Sequence, residues 1–246
     1  MNPDRQPFSA QSANPWGQTP GAIEAGRRSE MATRFTSRMF GWMAAGLAVS
    51  GGVAAATLSS PELFAGVASW FRALLILELV MVIGFSALLP RMNFATAASA
   101  FLAYAAVNGL TLGLIVALYT RESVANTFFV SAGTFAAMAF VGATTKRDLT
   151  GVGSFLMMGV IALLIAGVVN FFMHSSALQL AISCIGALIF TGLTAYDVQR
   201  FQKLGYLGFQ TSEEEGKVAL VGALNLYLDF INLFLMLLRI FGGRRD

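Results

Sequence analysis

Seven long apolar runs dominate this chain of 246 residues and limit what it can fold into. A bilayer core of about 30 Å needs about 20 apolar residues in a helix to cross it. In lipid, only helices and closed barrels satisfy their own backbone hydrogen bonds, and none of the runs alternates as barrel strands do. We therefore predict an all-α protein with seven transmembrane helices, at residues 39–58, 71–89, 94–119, 127–143, 152–173, 178–197 and 218–240.

The composition excludes several classes of function. Hydrophobic residues make up 56% of the chain and charged residues 12%, whereas a soluble domain has about 25% charged residues. The basic residues occupy loops and tails, not a stripe beside aromatic residues, so we expect no nucleic-acid partner. No glycine-rich phosphate loop or helical histidine pair occurs, so we expect neither an enzyme nor a bound cofactor.

The first 38 residues are polar and contain no apolar segment of the kind found in signal peptides. We predict that residues 1–38 form a disordered cytoplasmic tail and that residues 39–246 form the transmembrane domain. Several of the spans are rich in glycine, alanine and serine, which let helices approach closely in lipid. These stretches predict a compact bundle.

Lysine and arginine residues in the connections predict the orientation of the bundle. If the N-terminus is cytoplasmic, the inner segments carry 11 basic residues and the outer segments carry 5. This excess predicts a cytoplasmic N-terminus. The three basic residues at the C-terminus, Arg239, Arg244 and Arg245, run against the rule if all seven segments cross. The sequence leaves open a late segment that does not cross fully.

Three acids lie within or beside the apolar runs, namely Glu78, Asp197 and Asp229. A charged aspartate near the centre of a membrane helix costs about 2.5 to 3.5 kcal/mol on insertion scales, so each acid needs a partner, water or a proton. Asp197 ends the predicted sixth span and could be an ordinary solvated helix end. Glu78 could be a buried acid that ties its helix to a neighbour. Asp229 lies well inside the last span.

Asn225, Asp229 and Asn232 recur at helical spacing and share one face of the last span. Such a polar stripe should face the bundle interior. Two carboxylates facing each other there would titrate as a unit, because burial and like charge both disfavour the ionised form. In the ionised form they would attract a cation, and oxygen ligands suit Ca²⁺.

Two sequence elements, "TAYDVQRFQK" and "ALNLYLDFINLFLMLLRIFG", resemble those of the Bax inhibitor-1 family, also called the transmembrane Bax inhibitor motif family. The resemblance covers about residues 34–243. It implies a seven-helix bundle in which the C-terminal helix is central and is wrapped by the other six. It also implies a pH-sensitive Ca²⁺ leak in a bacterial cytoplasmic (inner) membrane, with the lipid bilayer, Ca²⁺ and membrane proteases as partners.

The resemblance also assigns residues. It implies that Asp197 and Asp229 form a proton-sharing pair that senses pH, lines the ion path and could ligate Ca²⁺. Glu78 matches the acid of the second span, and Arg239 matches the basic residue after the last helix. Relatives often carry several basic residues at the end of the second span as partners of the aspartates, and this sequence offers only Arg91.

Three other functions compete with the leak. An intramembrane aspartyl protease also uses two membrane aspartates, but its Gly-x-Gly-Asp element is missing because Asp229 lies in "LYLDF". A proton-coupled transporter would also need intramembrane acids, but no internal repeat or broken span is visible. The main alternative is a non-conducting membrane regulator that binds a protease or a stress-signalling partner, with structural acids.

Overall fold

A computed structural model describes residues 20–243 and 245 of the chain. In this part the chain is helical throughout, apart from short connections, and a 3₁₀ turn at Leu89–Arg91 joins two of its eight α-helices. Every helix except α2 is long and apolar enough to cross a membrane, which confirms the predicted all-α class and the seven spans. The helices are α1 (Pro20–Ser59), α2 (Pro61–Ser69), α3 (Phe71–Leu88), α4 (Phe94–Val116), α5 (Arg121–Thr144), α6 (Thr150–Met173), α7 (Ser176–Leu207) and α8 (Ser212–Phe241).

Most helices begin at a polar residue whose side chain accepts a hydrogen bond from a backbone N–H of the first turn. This places α5 and α8 earlier than predicted, at Arg121 and Ser212, because the cap and not the edge of the apolar run sets the start. The long polar connection expected at 198–217 is therefore mostly helical, and only residues 208–211 link α7 to α8. The N-caps are Ser60, Asn93, Thr120, Ser175 and Thr211.

The first helix also differs from the prediction, because it begins at Pro20 and not at residue 39. Ala32 and Phe35 are buried within this polar stretch. The Phe35 ring lies 5.0 Å from the ring of Phe209, centroid to centroid, so α1 extends past the membrane to pack on the α7–α8 connection. The rest of the predicted tail, residues 1–19, lies outside the described residues.

Helix α8 lies at the centre of the bundle, as predicted, and packs against α1, α4, α5 and α7. In the most apolar stretch of α8, 67% of the residues are buried, whereas in the most apolar stretches of α3 and α6 only 6% are. Those two helices pack mainly on α4 and α7, respectively. The expectation that all six other spans wrap the last helix is thus corrected: four enclose it, and two lie outside them.

The start of α1 and the residues after α8 lie at opposite ends of the bundle. At one end, Arg38 of α1 pairs with Glu215 near the start of α8 at 3.8 Å. At the other end, the N–H of Thr120 donates to the carbonyl of Gly243, and the N–H of Arg245 donates to that of Leu118, both at 3.0 Å. We call these the N-terminal end and the C-terminal end.

Small residues bring the helices into backbone contact, as predicted. Gly142 of α5 lies directly on the backbone of Ala195 in α7, where any Cβ atom would collide with the carbonyl oxygen. Gly109 of α4 lies against Ser50 of α1, with 2.6 Å between an added Cβ and the Ser50 carbonyl oxygen. These contacts fix how closely α7 and α1 approach their neighbours, and so they fix the polar sites described next.

Candidate functional site between helices α7 and α8

Asp197 lies inside α7, not at its end. The helix continues ten residues beyond it, to Leu207, and stops at Gly208, whose positive φ of 80° favours glycine. Asp197 is only 4% exposed, and its neighbours Val198 and Leu193 are also buried. The alternative of an ordinary solvated helix end therefore does not describe this residue.

Asp229 lies in the second half of α8, in the most buried part of the molecule. The residue is 5% exposed, and Leu226 and Leu233, one helical turn before and after it, are fully buried. The start of α8 carries Glu213, Glu214 and Glu215, where negative charge favours a helix N-terminus. Asp229, in contrast, is far from either helix end and receives no such help.

The two aspartates are electrostatic neighbours across the α7–α8 contact, and Asp197 is the charged group that acts on Asp229. Arg200 of α7 and Asn225 of α8 are the neighbours that act on Asp197. Among the described residues, Asp197 Oδ1 and Asp229 Oδ2 are buried oxygens without a hydrogen-bond partner. A buried carboxylate pair of this kind needs a proton, a cation or water to offset its desolvation.

The chemistry of the pair suits a hard cation, but the number of ligands is small. The two carboxylates supply oxygen ligands, whereas Ca²⁺ takes six to eight. No third Asp, Glu, His or Cys joins the pair to form a metal-binding cluster in the described part of the chain. A cation held here would keep part of its water shell.

The other residues of the predicted stripe divide between roles. Asn225 lies beside Asp197, whereas Asn232 donates from Nδ2 to the Leu228 carbonyl of its own helix at 2.8 Å.

The two arginines predicted to support the site lie away from the aspartates. Arg91 is exposed in the 3₁₀ turn, and Arg239 is exposed in the last turn of α8. Neither arginine joins an aspartate or Glu78 in the ion pairs formed between described residues.

Glu78 is held in a separate hydrogen-bonded network at the outer face of α4. Its carboxylate accepts from Thr111 Oγ1 at 2.5 Å and from Asn108 Nδ2 at 3.3 Å. These bonds join α3 to α4, so the half-buried Glu78 ties its helix to a neighbour.

The network continues from Asn108 into the core. The Tyr227 hydroxyl of α8 donates to Asn108 Oδ1 at 2.8 Å and lies 2.7 Å from Ser50 Oγ of α1. Ser50 Oγ also lies 2.7 Å from the Ala105 carbonyl. The sequence prediction did not include Ser50, Asn108, Thr111 or Tyr227 in a site, although isolated polar residues within apolar runs are a general signal of such networks.

A second cluster holds α7 in place, beginning two residues after Asp197. Gln199 donates from Nε2 to the Arg147 carbonyl at 2.8 Å, and its Oε1 accepts from the Leu149 N–H at 2.9 Å. Lys203 pairs with Asp148 at 2.7 Å on the surface. The hydrogen bond from Lys203, with further bonds from Thr150, lowers the pKa of Asp148 to about 2. The α5–α6 turn is thereby tied to the segment of α7 that carries Asp197.

Comparison with known proteins places this geometry in a family. Residues 32–246 match the model of the family described as inhibitor of apoptosis-promoting Bax1. The chain is 42% identical to the inner membrane protein YbhL of Escherichia coli K12 over 86% of this chain and 92% of that protein.

Two uncharacterized proteins show the same degree of similarity. One, from Borreliella burgdorferi, is 42% identical over 87% of this chain and 93% of its own length. The other, from Deinococcus radiodurans, is 43% identical over 86% of this chain and 91% of its own length. The chain is therefore an integral membrane protein that belongs to the Bax inhibitor-1 family.

Proposed function

We propose that this protein is a pH-sensitive cation leak of the bacterial inner membrane, with Ca²⁺ as the permeant ion and Asp197 and Asp229 as its gate. The observation that carries the proposal is the pair of buried carboxylates on α7 and α8, each with an oxygen that has no hydrogen-bond partner in the described structure. The name of the Escherichia coli relative supports the choice of membrane.

The physical basis of gating is the change in charge of the pair. With one shared proton, a hydrogen bond between the carboxyl groups holds α7 against α8. Without it, two unit charges at about 4 Å repel by about 4 kcal/mol at an effective dielectric constant of 20. A difference of 1.4 kcal/mol already shifts a two-state equilibrium tenfold, so loss of the proton is sufficient to part the helices unless a cation takes its place.

Charged and polar neighbours of the pair determine whether its protonated or its ionised state is favoured. Arg200 lies three residues after Asp197 on α7, on the same face of that helix, and Asn225 is the polar neighbour of Asp197 on α8. Neither Arg91 nor Arg239 forms an ion pair with either aspartate among the described residues. We assign Arg200, and not Arg91, as the arginine that tunes this pair.

The test is Ca²⁺ uptake into liposomes that hold a Ca²⁺ dye, measured from about pH 5 to 8. We expect the parent protein to give a pH-dependent rate and Asp197→Asn and Asp229→Asn to flatten it, because an amide cannot change its charge. Asp148→Asn is the matched control, since that exposed acid lies at the N-terminal end of the bundle away from α8. Uptake equal to that of empty liposomes at every pH would refute the leak.

A non-conducting regulator is the second candidate, and the tight packing around the pair favours it. The residues one turn from Asp229 are fully buried, so a cation reaches the pair only if α7 and α8 separate. In this case the aspartates are structural, and the protein binds a membrane protease or another membrane protein. A double variant of both aspartates to asparagine that retains the cellular phenotype, with no flux in liposomes, would support this candidate.

A further inference from the structure

A deep apolar groove opens between α1 and α5 toward the surrounding lipid. Its inner part is a cavity of about 550 Å³, with α4 and α8 behind it. Its walls include Ala48 and Gly51 of α1 and Phe128 of α5, and its floor includes Phe230 and Phe234 of α8. The groove exists because α1 and α5 both pack on α8 and make no substantial contact with each other.

The groove is long enough for a lipid chain. The residues of α1 that line it extend from Ala44 to Leu58, which is about 21 Å of helix at 1.5 Å per residue. One leaflet of the hydrocarbon core is about 15 Å thick. No atom lies within 4 Å of a Cβ atom placed on Gly51, so the space beside this residue is open.

Positive charge lies where the groove reaches the C-terminal end of the bundle. An adjoining cavity of about 490 Å³ shares Leu58, Phe128 and Phe234 with the first one and adds Arg121 and Arg245. These two are the only charged residues among the described residues that line either cavity. Both are exposed, and neither pairs with an acid among the described residues.

We propose that this groove binds one anionic phospholipid, with an acyl chain in the apolar part and the phosphate at Arg121 and Arg245. Arginine suits phosphate because its guanidinium group presents several donors in one plane. The backbone hydrogen bond from Arg245 to Leu118 holds the C-terminal segment beside the start of α5, and this brings the two arginines to the same rim. The aromatic side chains of the floor give the chain a rigid surface, since the Phe128 ring is 5.6 Å from that of Phe230.

The experiment is native mass spectrometry of the purified protein with phosphatidylglycerol or with phosphatidylethanolamine of the same chains. We expect one phosphatidylglycerol to bind tightly and the zwitterionic lipid to bind more weakly. Each of Arg121→Gln and Arg245→Gln should weaken phosphatidylglycerol binding about fivefold. This factor corresponds to about 1 kcal/mol for each basic residue at a membrane surface. Arg72→Gln, at the start of α3 on the same end, is the matched charge control and should have no effect.

A bulky side chain placed in the groove distinguishes lipid bound there from lipid bound to the rest of the lipid-facing surface. Gly51→Leu should abolish binding of the tightly held lipid, whereas Gly167→Leu should not, although both glycines have open space around them. Size-exclusion chromatography and thermal unfolding check that both variants fold. Equal lipid binding by the two leucine variants would overturn the proposal.

Three further results would also overturn it. Equal retention of both lipids by the parent protein would show that the arginines do not select an anionic headgroup, and displacement by free oleate at equal concentration would identify a fatty acid as the ligand. A parent dimer that Gly51→Leu converts to monomers would show that a second copy of the chain fills the groove. The test involves no ion flux, so its outcome is independent of the proposed leak.

Discussion

At the scale of single residues, two sets of polar groups within the helical bundle differ in their hydrogen bonding. Glu78 has two donors on α4, and the chain of bonds continues through Tyr227 to Ser50. Asp197 and Asp229 each retain an unpartnered oxygen among the described residues. A satisfied network holds helices together, whereas an unsatisfied carboxylate pair is open to protons and cations. In the proposed leak, stability and gating would therefore have separate determinants.

Tyr227→Phe tests the structural network. The change removes the hydroxyl that donates to Asn108 and lies 2.7 Å from Ser50, and it preserves the ring. We expect a loss of about 1 kcal/mol of unfolding free energy, because buried acceptors are left unpaired. Tyr104→Phe is the control, since its hydroxyl donates no hydrogen bond within the described structure and its ring packs 5.9 Å from that of Tyr227. Equal thermal shifts for the two variants would contradict this assignment.

Asp148 gives a prediction about pH. Its pKa of about 2 lies below the ordinary value of 3.8, mainly because Lys203 bonds to the carboxylate. A lowered pKa means that this pair contributes stability above about pH 4 and loses it only as the pH falls through about 2. Asp148 therefore stays ionised from pH 5 to 8, and Asp148→Asn should leave the shape of the flux profile unchanged. If Asp148→Asn gave a pH profile as flat as that of Asp229→Asn, the pH sensor would have to be the surface residue Asp148.

Sequence reasoning found the acids but not all of their partners. Asp229 stands out because it is a charge within an apolar run, and the resemblance assigns Asp197 as its partner. The residues that satisfy Glu78 lie on the next helix, 30 and 33 positions further along the chain. In the sequence, Tyr227 is indistinguishable from the other aromatic residues of the core. Helix spacing gives the face of a residue on its own helix, whereas the opposite partner depends on the rotation of both helices.

At the scale of elements, hydropathy predicted which segments are helices, and capping decided where they begin. The apolar run of α7 ends near Asp197, yet the helix continues to Leu207 because Gln199 and Lys203 find partners on the α5–α6 turn. Similarly, α2 was not predicted, since its nine residues are too short to show as a span. Hydropathy identifies the part of a helix that lies in the bilayer. It therefore underestimates the length of helices that extend beyond the bilayer.

Gly142 and Gly133 of α5 form a matched pair for testing helix contact. A Cβ atom at Gly142 would collide with the Ala195 backbone in α7, whereas at Gly133 it would meet nothing within 4 Å. We expect Gly142→Ala to destabilise the bundle by about 1 to 3 kcal/mol through overpacking. Gly133→Ala should be neutral or stabilising by up to about 1 kcal/mol through helix propensity. Unfolding in detergent measures both, and equal effects would show that the α5–α7 contact adjusts freely.

At the scale of the whole molecule, burial orders the helices by role. Helix α8 carries Asp229 and Tyr227 and is enclosed by four helices, whereas α3 and α6 lie mainly against one helix each. The sequence does not reveal this order, because α3, α6 and α8 are all apolar over the length of a span. The difference lies in which face meets a neighbour, and that depends on long-range packing.

The same architecture fixes the relation between the start of α1 and the end of α8, and it leads to a prediction about topology. Seven crossings place the start of α1 and residue Arg245 at opposite ends of the bundle, where Arg245 bonds to Leu118. The basic residues favour the N-terminal end as cytoplasmic by 11 to 5, despite the arginines after α8. Arg245 would then lie on the outer surface, beside the α4–α5 turn.

Single cysteines at the two ends measure this directly, in a Cys184→Ser background that removes the sole native thiol. A membrane-impermeant thiol reagent applied to spheroplasts should label Gly243→Cys, near the C-terminus, at once. Ser29→Cys, on the exposed start of α1, should react only after the membrane is permeabilised. Reversed labelling would overturn the assigned orientation but not the fold. Labelling of both from outside would instead mean that one of the seven helices does not cross, and α3 or α6, the least enclosed by protein, would then be the first to test.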